Sequence, residues 1–350
     1  MHSRGDIVEY RDIIQDNCKN HSPVSWWPRF AFHYTDVTNA VSILSSGYLY
    51  SRAEATKNDV MKNDNASSQV IGITRSEVIS KVRLYYRPLI PTQYYTEGYK
   101  HQSLRYKDDL NANVPVPIFL LFDLEKVLRL PGVQFSQETQ AKKESVFLSG
   151  IEEFSKLDFD KIYDNDYSTI QETKPYRQAE INHTNAMDIS SCISCILCRN
   201  NLDRMTILNL LRDENNVAFA RYKDIIKTFN NYTFFNNGIF ISDSSYYENT
   251  ISILFADSYY TKKYIERKAE VDELEPINAR VSLTWNKGRS VIYEEYIDFK
   301  VYLPEYLGKV FSIKNLPSFP QAQNIGIKVY LDGKLICYSV QPSKSSEVLL

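Results

Sequence analysis

The sequence predicts an α+β protein in two parts: a mixed helix-and-strand region over residues 1–230, then a small antiparallel β-sandwich-like region over residues 231–350. Three observations predict it. Apolar residues at helical spacing recur between short apolar runs in the first part. From about Phe234 the side-chain period drops to two. Turn signals then separate the alternating runs at the intervals of a sandwich.

Taken in order, "YTDVTNAVSILSSG" reads as a helix, with Thr35 or Asp36 as its cap, Ala40, Val41 and Leu44 along one face, and Gly47 as its stop. "VPVPIFLLF", Val114 to Phe122, is a fully apolar run of the kind that fills a buried strand. Val146, Phe147, Ile151 and Phe154 have helical spacing within Glu144–Leu157, as do Met205, Leu208 and Leu211 within Asp203–Glu214. In the second part Val281, Leu283 and Trp285 alternate with polar residues, and "NKGR" turns the chain. Ile297, Phe299, Val301 and Leu303 repeat the period, as do Ile325, Ile327, Val329 and Leu331 before the hairpin signal Asp332-Gly333.

Composition excludes several classes. At 43% hydrophobic and 24% charged, the chain is neither disordered nor fibrous. No apolar run approaches the ~18 residues that span a bilayer, so no membrane role is expected. Residues Met1 to Tyr10 lack the basic-then-apolar layout of a secretion signal, and five cysteines make no disulfide framework; a cytoplasmic protein is expected. A net charge of −2 confines any nucleic-acid site to a local patch. There is no G-x-G pair for a dinucleotide or phosphate loop, and no H-E-x-x-H spacing for zinc. Cys192, Cys195 and Cys198 stand at C-x-x-C-x-x-C spacing. In a strand, residues three apart face opposite ways, so these read as small core cysteines and no metal site is expected.

The chemistry concentrates in a few places. "KPYRQAEINH" sets Glu180 between Ala179 and Ile181, where burial makes a charge costly; it is either a surface residue on a strand or a positioned acid or base. His33 stands at a strand-to-helix junction. Arg75 follows an apolar run in "VIGITRSEV", where it can grip a phosphate or form a surface ion pair. From Lys81 to Lys107 six basic residues accompany a single acid, Glu97, and are interleaved with tyrosines. Arg83, Tyr85, Tyr86, Arg87, Tyr94, Tyr95 and Lys100 form a candidate single-strand surface, since rings stack on bases while cations follow phosphates.

Taken together, "HYTDVTNAVSILSSGYL", "ITR", "VRLYYRPLIPTQYYTEG", "PVPIFLLFDLEKVL", "FSKLDFDKIY", "YRQAE" and "CRNNLDRMTILNLL" resemble the DarT family, NAD-dependent ADP-ribosyltransferase toxins that modify bases of single-stranded DNA. The resemblance covers roughly Phe32 to Asn230. It implies an ADP-ribosyltransferase-like split mixed β-sheet core with flanking helices. It also implies that Glu180 is catalytic, that Arg75 contacts NAD or the target, and that His33, Thr35 and Asn39 hold NAD. A macrodomain antitoxin is the partner it implies. Leu89 stands where the family usually has an arginine, and "INHTNA" after the signature departs from the commonest form, so the base is left open. Two alternatives to a DNA target remain: the same chemistry on RNA, and a non-catalytic nucleic-acid-binding module. Arg177, two residues before Ala179, is expected on the face opposite Glu180 in a structural or groove-lining role.

Overall fold

A computed structural model describes residues 9–64, 76–101, 105, 113–140, 146–256, 258–259, 262–263, 266 and 275–343. Its centre is a seven-stranded sheet in the order β5-β6-β3-β1-β4-β8-β9. The strands are β1 (Phe30–Asp36), β3 (Lys81–Tyr85), β4 (Pro117–Asp123), β5 (Gln134–Phe135), β6 (Glu180–Thr184), β8 (Ile193–Cys198) and β9 (Ile226–Thr228). A two-stranded ribbon of β2 (Tyr48–Tyr50) and β7 (Ala186–Asp188) lies apart from it. Only β8 and β9 run parallel, so the sheet is mixed.

The apolar run expected to form a buried strand does so. Every residue of β4 from Pro117 to Phe122 is buried. It pairs with β1 along seven residues, from Phe30↔Asp123 to Asp36↔Pro117. On its other side β1 meets β3 only at Phe32↔Tyr85. The sheet is therefore split between its two halves.

Local chemistry sets the elements around the split. Asp36 caps the helix Val37–Ser46, accepting from the Thr38 amide at 3.1 Å and the Thr38 hydroxyl at 2.8 Å. Gly47, at φ +76°, ends it in the left-handed region that disfavours a side chain. The helix Asn201–Glu214 starts two residues before the expected position, because Asn200 caps it through the Asp203 amide. The helix expected from Glu144 is shorter: it spans Ile151–Ser155, and residues 141–145 lie outside the described residues. Leu148 instead exchanges backbone hydrogen bonds with Phe135, and Gly150 turns the chain at φ +84°. Cys195 and Cys198 occupy β8, and burial raises both thiols. No helix among the described residues is long and apolar enough to cross a membrane.

The second part is a pair of antiparallel sheets around one core. β10 (Ile241–Tyr247), β11 (Thr250–Phe255) and β14 (Val310–Ile313) form one sheet. The other has the order β13-β12-β15-β16, from β12 (Ile277–Lys287), β13 (Ser290–Val301), β15 (Asn324–Leu331) and β16 (Lys334–Pro342). Val281, Leu283 and Trp285 face the core with Ile325, Ile327 and Val329, as their alternation predicts. Asp332 and Gly333 both take positive φ in the two-residue turn. β13 is an edge strand, so Ile297 and Phe299 are only half-buried, and Leu303 has left the strand.

The two parts are stitched together. The Tyr338 amide of β16 donates to Thr206 Oγ1 at 2.9 Å, and Asn209 Nδ2 donates to the Tyr338 carbonyl at 3.2 Å. Tyr99 and Leu202 belong to the sandwich core. Beside Tyr99 the backbones of Gly98 and Gly238 cross so closely that a Cβ on Gly98 meets the Asn237 carbonyl oxygen at 2.0 Å. Gly98 also has φ +75°. Gly98→Ala is expected to cost at least about 2 kcal/mol, because neither backbone can yield. Chemical denaturation checks this, and a variant as stable as the parent contradicts the crossing.

Candidate active site

Four side chains share one face of the sheet at the split. In the β3–β6 pairing Tyr85 stands opposite Glu180 and Arg83 opposite Asn182. Since residues two apart on a strand share a face, the register alone groups them. Glu180 is 1% exposed. Its backbone is fixed on the far side by Ser136, whose hydroxyl accepts from the Glu180 amide at 3.2 Å and whose amide donates to the Glu180 carbonyl at 2.8 Å.

A buried carboxylate requires compensation, and Arg83 supplies it. Arg83 Nε donates to Glu180 Oε2 at 2.7 Å, and Nη2 donates to Oε1. This is a two-pronged grip by one guanidinium. Burial opposes the arginine's charge, and the facing carboxylate reverses that effect and holds it protonated. Burial also raises the Tyr85 phenol, an effect that the arginine moderates.

A cleft of about 270 Å³ opens beside the pair. Its walls include His33, Thr35, Asn39, Tyr48, Tyr50, Arg83 and Tyr85. His33 occupies the split itself, with Nδ1 3.2 Å from the Arg83 carbonyl. A carbonyl only accepts, so Nδ1 carries the proton and Nε2 is left as an acceptor. Burial lowers the ring to about 4, the backbone contact opposing, so the imidazole is neutral near pH 7.

Not every expected residue offers a free group. Asn39 is committed to the chain: its Oδ1 accepts from the Lys62 and Asn63 amides at 2.9 and 3.0 Å, and its Nδ2 donates to the Asn63 carbonyl at 2.6 Å. Its carbonyl oxygen and one of its two N–H donors are thus taken, which leaves at most one donor for the cleft. Arg75 lies outside the described residues. Tyr86, expected on a strand-guiding surface, is wholly buried. Arg87 is 1% exposed; it donates to the Pro88 carbonyl at 3.0 Å, to the Asp164 carbonyl and to Asn165 Oδ1 at 3.0 Å, and lies 4.4 Å over the Trp27 ring. Both expectations are corrected, since a buried side chain cannot follow a strand. Tyr94 and Tyr95 do remain exposed, with their rings edge to face at 5.4 Å. Lys100 donates to both their carbonyls, at 3.1 and 2.7 Å, and burial lowers it to about 8.

Arg177 stands in a tight turn, Tyr176–Gln178, and not on a strand. Its Nε donates to Thr173 Oγ1 at 2.9 Å, and its Nη2 reaches both Asp164 Oδ2 and the Asp166 carbonyl. Burial pushes Asp164 up, but hydrogen bonds from Thr169, Arg177 and Thr173 prevail and hold it near 2. Arg87 grips this loop from the other side. The two arginines thus hold the chain that delivers Glu180 to β6. Asp164 and Ser136 escaped the sequence, because nothing local marks their partners. Arg83 as the partner of Glu180 was half visible. "KVRLY" alternates strictly, which puts Arg83 opposite Val82 and Leu84, but only the strand register names the carboxylate it meets.

At the split of this mixed sheet a buried carboxylate on β6 thus stands beside a cleft that holds a neutral histidine. The family described as "ssDNA thymidine ADP-ribosyltransferase, DarT" matches residues 32–232, and the chain belongs to it. No curated protein matches the chain. Among solved structures it is similar to Thermus sp. 2.9 DarT in complex with ADP-ribosylated ssDNA, at 15% identity over 59% of this chain and 97% of that one (TM-score 0.48). The same protein in complex with NAD+ gives 16% identity over 59% and 98% (TM-score 0.44). Thermosipho africanus DarTG in complex with ADP-ribose gives 13% over 71% and 70% (TM-score 0.44).

Two measurements check the site. The His33 ring is expected to keep its neutral-form NMR shifts from pH 8 down to about 5.5 and to titrate near 4; a midpoint near 6.5 contradicts a desolvated ring. Arg177→Lys is expected to destabilise by about 1–3 kcal/mol, since one ammonium cannot replace a fork that bonds three partners. An unchanged melting temperature would deny the loop anchor.

Proposed function

We propose that the chain transfers a single ADP-ribose from NAD to a base of single-stranded DNA, with Glu180 as the residue that carries the chemistry. The observation that carries this reading is the place of that carboxylate: buried at the first residue of β6, next to the split and the cleft. When nicotinamide leaves NAD, the C1′–N bond breaks and its electron pair departs with the pyridine. The ribose is left cation-like, and a fixed anion nearby lowers the barrier. The acceptor nitrogen then bonds to C1′ and its proton passes to Glu180.

The cleft residues fit such a donor. The neutral His33 ring has Nε2 available to accept from a ribose hydroxyl. Tyr48 and Tyr50, with rings 6.0 Å apart, offer faces to a flat heterocycle. Thr35 adds a hydroxyl at the wall, and Arg75 serves as a phosphate or target contact. A base inside a duplex cannot reach the cleft, so a single strand is the substrate. The exposed pair Tyr94 and Tyr95, stapled by Lys100, is the stacking surface for that strand. The family description supports thymidine as the base. As a toxin, the chain would have a macrodomain antitoxin that removes the mark.

Glu180→Gln tests the reading. The amide keeps the side chain's shape but removes the anion and the proton acceptor, so transfer is expected to fall about 10²–10⁴-fold. Nicotinamide release and labelling of DNA and RNA oligonucleotides of each base measure it. A variant as fast as the parent removes Glu180 from the chemistry, and labelling of RNA alone moves the target from DNA.

A further inference from the structure

Glu180 as it stands is shut away. The cleft wall contains Arg83 and Tyr85, and the carboxylate lies behind them at 1% exposure with both oxygens held by one guanidinium. A carboxylate so paired is nearly neutral as seen from the cleft, and the guanidinium in front of it repels a cation-like ribose. The productive arrangement therefore needs that positive charge to move or be cancelled.

Arg83 is built for such a transfer. Its side chain is 35% exposed while that of its partner is 1% exposed. Its Nη1 makes no hydrogen bond with the described residues, so one donor already faces away from the carboxylate. A planar fork that fits a carboxylate fits a phosphate equally well. Phosphates are the groups both substrates bring: the pyrophosphate of NAD and the phosphodiesters of the DNA strand.

We propose that Arg83 is a positioning residue that latches Glu180 in an inactive state and gives it up to a phosphate oxyanion of an arriving substrate. The inference rests on the function proposed above. Without substrate the latch is closed and water cannot use Glu180. When a phosphate takes the guanidinium, the carboxylate is freed at the moment the ribose needs it. Where the strand's phosphate is the one that takes the guanidinium, NAD bound alone is also protected from futile hydrolysis, in which water attacks C1′, nicotinamide leaves and a proton is lost to solvent.

The test compares nicotinamide release by the parent, Arg83→Gln and Arg83→Lys, with NAD alone and with an added abasic oligonucleotide that brings phosphates but no acceptor base. If the DNA phosphate opens the latch, the abasic strand speeds release by the parent at least about tenfold. Arg83→Gln then reaches that rate without DNA, at an unchanged KM for NAD. If the pyrophosphate opens it, the abasic strand has no effect and Arg83→Gln raises KM for NAD at least about tenfold with kcat preserved. Arg83→Lys keeps part of the coupling in either case. A fall in kcat for Arg83→Gln, or no change in either constant, overturns the latch. A readout apart from turnover is the Arg83 Nε–H resonance, which is expected to shift on adding the abasic strand or ADP-ribose. If it stays fixed while Glu180-dependent transfer proceeds, the latch fails and the function stands. If transfer does not depend on Glu180, the function itself fails.

Discussion

The pairing of β3 with β6 is the constraint on which the site depends. One register, Tyr85 opposite Glu180, places the carboxylate, its guanidinium partner and the cleft's tyrosine on the same face. A slip of β6 by one residue would turn Glu180 to the face opposite Arg83 and Tyr85. The two flanks of that pairing differ. On one side β5 pairs with β6 and Ser136 ties the backbone of Glu180. On the other, β3 is free of β1 after a single residue, and that gap admits the His33 ring. The break in the sheet and the grouping of these side chains at the cleft have a common origin.

Buried charge recurs around this point, and each case is resolved by a fork of donors. Arg83 meets a carboxylate, Arg177 meets Asp164 and a carbonyl, and Arg87 meets carbonyls and an amide. Isolated burial of any of these groups would be prohibitive. The consequence is rigidity in the loop before Glu180, which leaves the partly exposed Arg83 as the cation with room to move.

Much of this is legible in the sequence. The capped helix Val37–Ser46, the apolar β4 and the alternating strands of the sandwich follow from spacing, because their burial is one-sided or complete and leaves a regular pattern. The signature around Glu180 singled that residue out, and the structure adds its burial and its pairing with Arg83. Less visible were the roles of the basic segment. Arg83, Arg87 and Lys100 look alike in a string of letters, yet one pairs with the carboxylate, one clamps a loop and one staples a turn. Their fates depend on partners far along the chain, for example the 97 positions between Arg83 and Glu180. Composition can count such cations but cannot say which are already occupied. The helix expected from Glu144 failed for a related reason: Leu148 found a strand partner in Phe135.

The seam between the two halves bears on how the chain can be divided. The family match stops at residue 232, whereas Tyr99 shares both its backbone hydrogen bonds with Ile239, and β16 lies along the helix Asn201–Glu214. Cutting at the end of the match would strip that helix of its cover and leave Tyr99 and Leu202 facing water. The transferase half leans on its appendage, and separating the two at residue 232 breaks hydrogen bonds and a core that both halves share.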